Sequence, residues 1–236
     1  MKNVPAAVRR ALEGVCALSS YCLKYEKGDE VRYISHLDFL RCINRAIKRS
    51  ALPVSYSQGF NPHTIMTVAL PASVGTTSGA ELMKVSFDEE LTADIVRDKL
   101  NANLPKGLHI IKAVKDDDNT IKFSKINMCD FIVKAETETE IDIDVDAFLS
   151  LNEIVINKRT KSGEKQEDIK AAIYALEVVE RDGLTYTFKM RLAAGSTYNL
   201  KSATVIAAME KYIEGFKVSF MQEHRLALMC DGKELM

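Results

Sequence analysis

The sequence lacks the short motifs that mark the common nucleotide-binding and hydrolytic enzymes. It contains no GxxxxGK[ST] loop and no GxGxxG following a strand, so neither usual way of cradling a nucleotide is supported. It also contains no GxSxG elbow and no HExxH helix. Motifs of these kinds therefore assign no reaction to the chain.

Cysteine is scarce and scattered. The chain has five cysteines, none of them spaced as CxxC: Cys16, Cys22, Cys42, Cys129 and Cys230. This pattern indicates neither a disulfide framework nor a zinc or iron–sulfur site, so we expect reduced thiols and no metal or cofactor.

Long apolar runs are also missing. No run approaches the roughly 20 residues that a membrane span requires, and Arg9, Arg10 and Glu13 interrupt the segment where a signal peptide would be apolar. We expect a cytoplasmic protein with no membrane partner. The 236 residues are 47% hydrophobic, enough for two domains of ordinary size.

The chain carries almost no net charge, but one stretch is strongly basic. The formal net charge is −1, from 32 basic and 33 acidic residues. Between Val31 and Ile65 there are five Lys/Arg residues and a single acid, Asp38. Such local asymmetry is typical of a protein that binds a phosphate backbone. A solvated basic surface with no ligand is the plain alternative.

The basic residues fall on a predicted helix. A short strand is expected over Val31–Ile34, and Ser35 has the spacing of an N-cap with Asp38 three residues later. A period of 100° per residue predicts an inward face and a cationic face. The inward face comprises Leu37, Leu40, Asn44, Ile47 and Ala51, and the cationic face comprises Arg41, Arg45, Lys48 and Arg49.

A polar loop follows Pro53 and supplies donors, aromatics and an imidazole. We expect Tyr56, Gln58, Asn61 and His63 to contact a nucleic acid there. The pair His36 and His63 also permits a second interpretation, as base and acid in metal-independent cleavage of RNA. A structural hydrogen bond near the helix cap is the alternative role for His36.

The order of predicted elements indicates an α+β fold. Strands around Tyr21–Tyr25, Ile65–Leu70, Ala80–Phe87 and His109–Val114 alternate with the basic helix and a helix capped by Thr92. This β-α-β-β-α-β order is that of a ferredoxin-like, or split βαβ, unit: an antiparallel sheet with both helices on one face.

The domain prediction has three parts. Residues 1–20 form an N-terminal appendage with a weak helix, residues 21–115 the first ferredoxin-like unit, and residues 120–236 a second one. The elements of this second unit are expected as strands over 126–137, 154–157, 171–179, 184–192 and 217–229, with helices near 145–151 and 199–214.

Two further charge patterns occur in the second half. Six acids alternate with other residues, namely Glu136, Glu138, Glu140, Asp142, Asp144 and Asp146, and would share one face of a continuous strand. A solvated edge is the expected role and a divalent-metal site the alternative. Lys158, Arg159, Lys161 and Lys165 bracket Gly163 in a second cationic loop, opposed only by Glu164 and read either as an exposed hairpin tip or as a second phosphate contact. The small-residue segment Arg191–Lys201 opens a helix and is read either as an ordinary helix start or as a loop whose free amides face an anion.

Several stretches of the first half carry a family resemblance: the run from Val31 to Asp38 with Arg41, the run from Leu52 to His63, and Leu70-Pro71, Val74-Gly75 and Glu81. Together they resemble the radical-SAM-linked protein family, a domain of unknown function. The resemblance covers about residues 21 to 228, although Thr64-Ile65 stand where members usually have Pro-Lys. It implies association with a radical SAM enzyme and no established activity.

Three functions are therefore open. The first is a non-catalytic module that binds RNA, such as tRNA or rRNA, and presents it to a modifying enzyme. The second is a ribonuclease using His36 and His63, and the third is a partner that binds only a radical SAM enzyme. No role for DNA is expected.

Overall fold

The computed structural model describes residues 18–160 and 163–236. The predicted N-terminal helix, which has Val4, Val8, Leu12 and Val15 at helical spacing, lies outside these residues. The fold is mixed α+β, with mainly antiparallel strand pairing and few helices. The chain forms two compact units: the first runs to Val74 and resumes over Ala80–Phe123, and the second contains Gly75–Gly79 and Ser124–Met236.

In the first unit, two helices pack on one face of a sheet with strand order β4–β1–β3–β2. The strands are β1 (Ser19–Lys27), β2 (Met66–Ala69), β3 (Thr76–Phe87) and β4 (Leu108–Lys115), and the helices are α1 (His36–Arg49) and α2 (Ala93–Asn101). The first residues of β3 belong to the second unit.

One core fills the space between these helices and the sheet. Alternate residues of β1 and β3 face it, and α1 and α2 contribute their apolar faces. Its largest fully buried side chains are Tyr21, Leu23, Ile43, Ile47, Met83, Phe87, Leu100 and Ile110. Because successive side chains of a strand point to opposite faces, the strand members of this core recur at every second residue, as Tyr21 and Leu23 do in β1.

The local signals at both helix starts are confirmed. Ser35 is the N-cap of α1, where its hydroxyl accepts from the Asp38 amide at 3.2 Å. Thr92 caps α2 in the same way through the Ile95 amide.

Two other expectations for this region are wrong. No strand forms over Val31–Ile34, because a 3₁₀ turn over Asp29–Val31 engages the amides of Arg32 and Ile34 locally. The inward face of α1 is also rotated from the predicted one: Leu37 is 63% exposed and Phe39 is buried. Phe39 stacks on Tyr25 of β1 with ring centroids 5.1 Å apart, and this contact sets the rotation.

The second unit has the strand order β10–β5–β9–β8. Its elements are β5 (Met128–Thr137), α3 (Val145–Ser150), β6 (Val155–Thr160), β7 (Gly163–Asp168), β8 (Ile173–Asp182), β9 (Thr185–Ala193), α4 (Ser202–Tyr212), β10 (Val218–Cys230) and β11 (Lys233–Glu234). The start of β3 pairs in parallel with β10, and β11 pairs with the end of β10. Buried Phe188 and Met190 of β9 and Val205 and Met209 of α4 belong to its core.

Two expectations for the second unit need correction. The strand predicted at 154–157 is β6, which pairs only with β7 in a separate hairpin instead of joining the main sheet. The acidic residues after Glu136 do not share a strand face, because β5 ends at Thr137 and Asp144 is the N-cap of α3. In the described ranges, no cluster of three His, Cys, Asp or Glu side chains is arranged to hold a metal ion.

No helix in the described part of the chain is long and apolar enough to cross a membrane. Cys22, Cys42, Cys129 and Cys230 are all free thiols.

Candidate nucleic-acid interface

The cationic face of α1 borders an open groove of about 410 Å³, here called the basic groove. Its lining residues are Asp38, Arg41, Cys42, Arg45, Arg49 and Pro105. The three arginines and Lys48 are all exposed to solvent. The 100° spacing of the sequence predicts this clustering, since residues four apart on a helix lie about one turn above each other.

Neutralisation of these cations is incomplete. Arg41 forms an ion pair with Asp38, with Nη1 and Oδ1 2.8 Å apart, and Arg49 donates to the carbonyl of Asn103. Arg45 and Lys48 form no hydrogen bond or ion pair with any described residue. The hydrogen bond from the Ser35 hydroxyl, followed by that from Arg41, lowers the pKa of Asp38, so this acid is ionised at neutral pH. One carboxylate thus faces several guanidinium groups, and the groove keeps excess positive charge.

Cys42 is the neutral member of the lining. Partial burial raises the pKa of its thiol, and this outweighs the opposing effect of Arg49 and Arg45. The protonated thiol adds no negative charge to the groove.

The two candidate catalytic histidines have different surroundings. The His36 ring is exposed and lies 6.5 Å from the Phe39 ring, at an interplanar angle of 22°. The Nδ1 atom of His63 lies 2.8 Å from the Ser57 hydroxyl. Among the described contacts, none joins the two rings, and neither ring shares a hydrogen-bond partner with the other.

The segment 57–63, here called the Ser57–His63 loop, contains most of the other predicted contacts. Tyr56 at its base is 40% exposed, and Gln58, Asn61 and His63 are exposed. Phe60, whose side chain is fully exposed at 104%, is not among the contact residues predicted from the sequence. Its position between Gly59 and Asn61 in a polar turn was the available signal.

The second cationic loop is partly neutralised. Lys158 forms an ion pair with Glu167 at 2.9 Å and lies over the Tyr198 ring at 5.7 Å. The hydrogen bond from Lys158 lowers the pKa of Glu167, whereas burial and then Glu167 raise the pKa of Tyr198 to about 12. Lys161 and the side chain of Arg159 lie outside the described residues. The segment Arg191–Lys201 leads into α4, which begins at Ser202.

Two buried side chains of ionisable type lie beside the start of α1, and the sequence pattern does not predict their burial. Lys27 is 5% exposed and donates to the carbonyls of Arg32 and Ser73 at 2.9 and 3.2 Å. Glu81 is 1% exposed and accepts from the Ala72 amide at 3.1 Å. Together they hold the turn before α1 and the segment after β2, so they position the helix start.

Comparison with solved structures found chains of low similarity. One comes from the crystal structure of a Cbf5-Nop10-Gar1 complex, with 11% identity and a TM-score of 0.45 over 87% of this chain and 47% of that chain. Another comes from a structure of an H/ACA RNP bound to a substrate RNA containing 2'-deoxyuridine, with 10% identity and a TM-score of 0.46 over 88% and 47%. The chain spans about half the length of these chains, and the likeness carries no conclusion about function.

No curated protein matches the chain in sequence. A family model does match, over residues 20–202. The match confirms the expected domain of unknown function. The chain belongs to the family described as "Uncharacterized protein conserved in bacteria (DUF2344)".

Proposed function

We propose that the chain is a non-catalytic RNA-binding module, which grips tRNA or rRNA in the basic groove and presents it to a separate radical SAM enzyme. The observation that carries this proposal is the basic groove itself, whose lining contains Arg41, Arg45 and Arg49 and a single carboxylate, that of Asp38. The formal net charge of the whole chain is only −1, so the excess of cations in this groove is local and would attract RNA to it.

The geometry of the groove supports contacts to a nucleic-acid backbone. Arg41, Arg45 and Arg49 follow each other at four-residue intervals, so their Cα atoms are about 6 Å apart along the helix axis. Each guanidinium is a planar fork that can bind a phosphate through two parallel hydrogen bonds. A row of three therefore fits successive phosphates better than it fits a single small anion.

The proposal extends to the fold and the location of the chain. The strand orders β4–β1–β3–β2 and β10–β5–β9–β8 support two tandem ferredoxin-like units. We propose that the boundary between these units lies near Lys115–Asn119. We also propose a cytoplasmic location, because reduced thiols and cellular RNA are both found there.

The salt dependence of RNA affinity tests the proposal. We expect Arg41→Ala/Arg45→Ala to weaken binding of a structured RNA and to lower the log–log salt slope by somewhat under one unit per charge removed. The matched control is Lys99→Ala/Lys122→Ala, which removes two exposed cations of the same unit outside the groove. Both variants change the net charge from −1 to −3, so a difference between them reports position and not total charge.

Two results would contradict the proposal. Equal affinities and parallel salt plots for wild type and the groove variant would exclude the basic groove as an RNA site and favour the protein-partner hypothesis. Equal losses in both double variants would mean that RNA senses only the overall charge.

Substitutions in the Ser57–His63 loop should affect RNA binding differently from substitutions in the basic groove. Replacing Gln58, Asn61 or His63 should alter preference among RNAs more than the salt slope, because these side chains would contact bases. The ribonuclease hypothesis for His36 and His63 stays a prediction.

A further inference from the structure

The Ser57–His63 loop has a closed neck. The Ser57 amide donates to the His63 carbonyl at 2.8 Å, and the His63 amide donates to the Ser57 hydroxyl at 3.1 Å. The same hydroxyl lies 2.8 Å from the imidazole Nδ1. A bridge between Tyr56 and Thr64 continues the pairing at the base.

The neck is also fastened to the sheet of the first unit. Ser55 donates to the Ser86 carbonyl at 2.9 Å, and Ser86 donates to the Ile65 carbonyl at 3.1 Å. The loop is thus an extension of the edge of β3 and has a defined position.

Phe60 stands at the tip of this closed loop. Its side chain is 104% exposed, so the ring is fully open to solvent. Gly59 has φ +127°, a conformation that L side chains rarely adopt, and nothing lies within 4 Å of the place where its Cβ would be. Pro62 restricts Asn61 to extended conformations. Gly59 thus permits the turn, whereas the paired neck and Pro62 limit the backbone on either side of Phe60.

The sequence around Phe60 is polar but uncharged. Gln58 and Asn61 lie within two residues of it, and both side-chain amides can donate and accept hydrogen bonds. Residues 51–80 contain no Asp, Glu, Lys or Arg. An apolar protein anchor would be expected to have aliphatic neighbours, whereas an aromatic face beside two amides matches the flat face and the mixed donor and acceptor edge of a nucleobase.

We infer that Phe60 is a stacking platform for an unpaired nucleobase, whose edge is contacted by Gln58 and Asn61. This inference rests on the proposed function and specifies its ligand, an RNA with at least one unstacked base near the bound backbone. A loop constrained before binding loses little entropy when a base stacks on it, which favours such a role.

The chain has no tryptophan, so Phe60→Trp places a single tryptophan at the tip, whose fluorescence can be distinguished from that of the eight tyrosines. We expect an RNA hairpin with a single-stranded loop to quench this fluorescence strongly, and a fully paired RNA duplex of the same length to leave it nearly unchanged. Tyr174→Trp, at a 48% exposed position on β8, is the control and should respond to neither RNA. Equal quenching of Phe60→Trp by hairpin and duplex would overturn the inference.

Phe60→Ala supplies the affinity measurement. We expect it to weaken hairpin binding by about 5- to 150-fold, because base–aromatic stacking contributes about 1–3 kcal/mol per base. Duplex affinity and the salt slope should not change, since no cation is removed. The fully exposed ring adds nothing to the core, so thermal unfolding should match wild type.

The two hypotheses fail separately. Unchanged hairpin affinity in Phe60→Ala, with the loss in Arg41→Ala/Arg45→Ala intact, overturns the stacking role and leaves a protein as the ligand of the loop. Unchanged affinity in both variants overturns the proposed function as well. Equal loss of hairpin and duplex binding in Phe60→Ala also contradicts stacking of an unpaired base.

Discussion

At the scale of single residues, Ser35 shows how one side chain defines the start of the basic helix. Its hydroxyl accepts from the Asp38 amide and donates to the Asp38 carboxylate at 2.8 Å. The same carboxylate pairs with Arg41. The cap therefore marks the start of the helix and, through Asp38, also aligns Arg41, the first cation of the groove.

We expect Ser35→Ala to lower the free energy of unfolding by about 0.5–2 kcal/mol, because the Asp38 amide loses its acceptor. Ser35→Thr retains the hydroxyl and should recover most of the stability. Chemical denaturation of the three proteins measures this. If Ser35→Ala unfolds at the wild-type midpoint, the cap contributes nothing and the helix start is determined by packing.

Asp116 is a second residue with a defined energetic role. It is buried and receives hydrogen bonds from Lys84 at 2.5 Å, from the Thr120 amide and hydroxyl at 2.7 Å, and from the Ile121 amide. Burial alone would raise the pKa of Asp116, but the bonds from Lys84, Thr120 and Ile121 outweigh it and lower the pKa below its ordinary value of 3.8.

This lowered pKa predicts a stability change in acid. A carboxylate whose pKa is lower in the folded state stabilises the fold above the unfolded-state pKa, and the contribution is lost as the pH falls through the folded-state value. We expect wild type to lose stability as the pH drops below about 4, and Asp116→Asn to be less stable at pH 7 but to lose less in acid. Urea unfolding between pH 7 and pH 2 measures both effects, and equal pH profiles would exclude Asp116 as their source.

At the scale of elements, the end of β9 depends on a close backbone approach. A Cβ on Gly195 would lie 2.6 Å from the carbonyl oxygen of Ile126, which precedes β5. The Ala194 amide donates to the Asn127 carbonyl at 3.0 Å, so the two segments are held together there. Only glycine permits this approach without a backbone shift.

We expect Gly195→Ala to lower the free energy of unfolding by about 1–3 kcal/mol, because the methyl group forces these segments apart. Gly79→Ala is the control, since its nearest neighbour, His224 Nε2, is 3.7 Å away. That variant should change stability by under about 1 kcal/mol. Thermal unfolding of the two variants compares their stabilities. Equal losses of stability would show that the loss of glycine flexibility, and not the lack of space for a methyl group, is responsible.

At the scale of the whole molecule, the proposed function predicts binding without cleavage. Structured RNA incubated with the purified chain and EDTA should remain intact, with no cyclic-phosphate ends. The separate surroundings of His36 and His63 agree with this expectation.

Cleavage with cyclic-phosphate ends would instead support the ribonuclease hypothesis. It would then have to disappear in both His36→Gln and His63→Gln, since base and acid are each required. Cleavage that survives both changes would come from a contaminant or from other residues of the chain.

The sequence alone determined the features that depend on near neighbours in the chain. Ser35 and Thr92 are caps because hydroxyl and amide are three residues apart, and Arg41, Arg45 and Arg49 line one groove because a helix returns to the same side about every four residues. Strand alternation likewise selected the core residues of β1 and β3. Each of these patterns is complete within a few residues.

Tertiary structure decided the features that depend on distant partners. The buried residues of α1 follow helical periodicity, but packing against the sheet, including the stack of Phe39 on Tyr25, decides which of the possible faces is the buried one. Pairing with β7 makes β6 a separate hairpin, and the carbonyls of Arg32 and Ser73 allow Lys27 to be buried. The Phe39 stack and the Lys27–Ser73 hydrogen bond join different elements of the fold, and the β6–β7 hairpin stays separate because neither strand pairs with the main sheet. The pattern within one element does not contain the free energies of these contacts, so only the folded chain determines them.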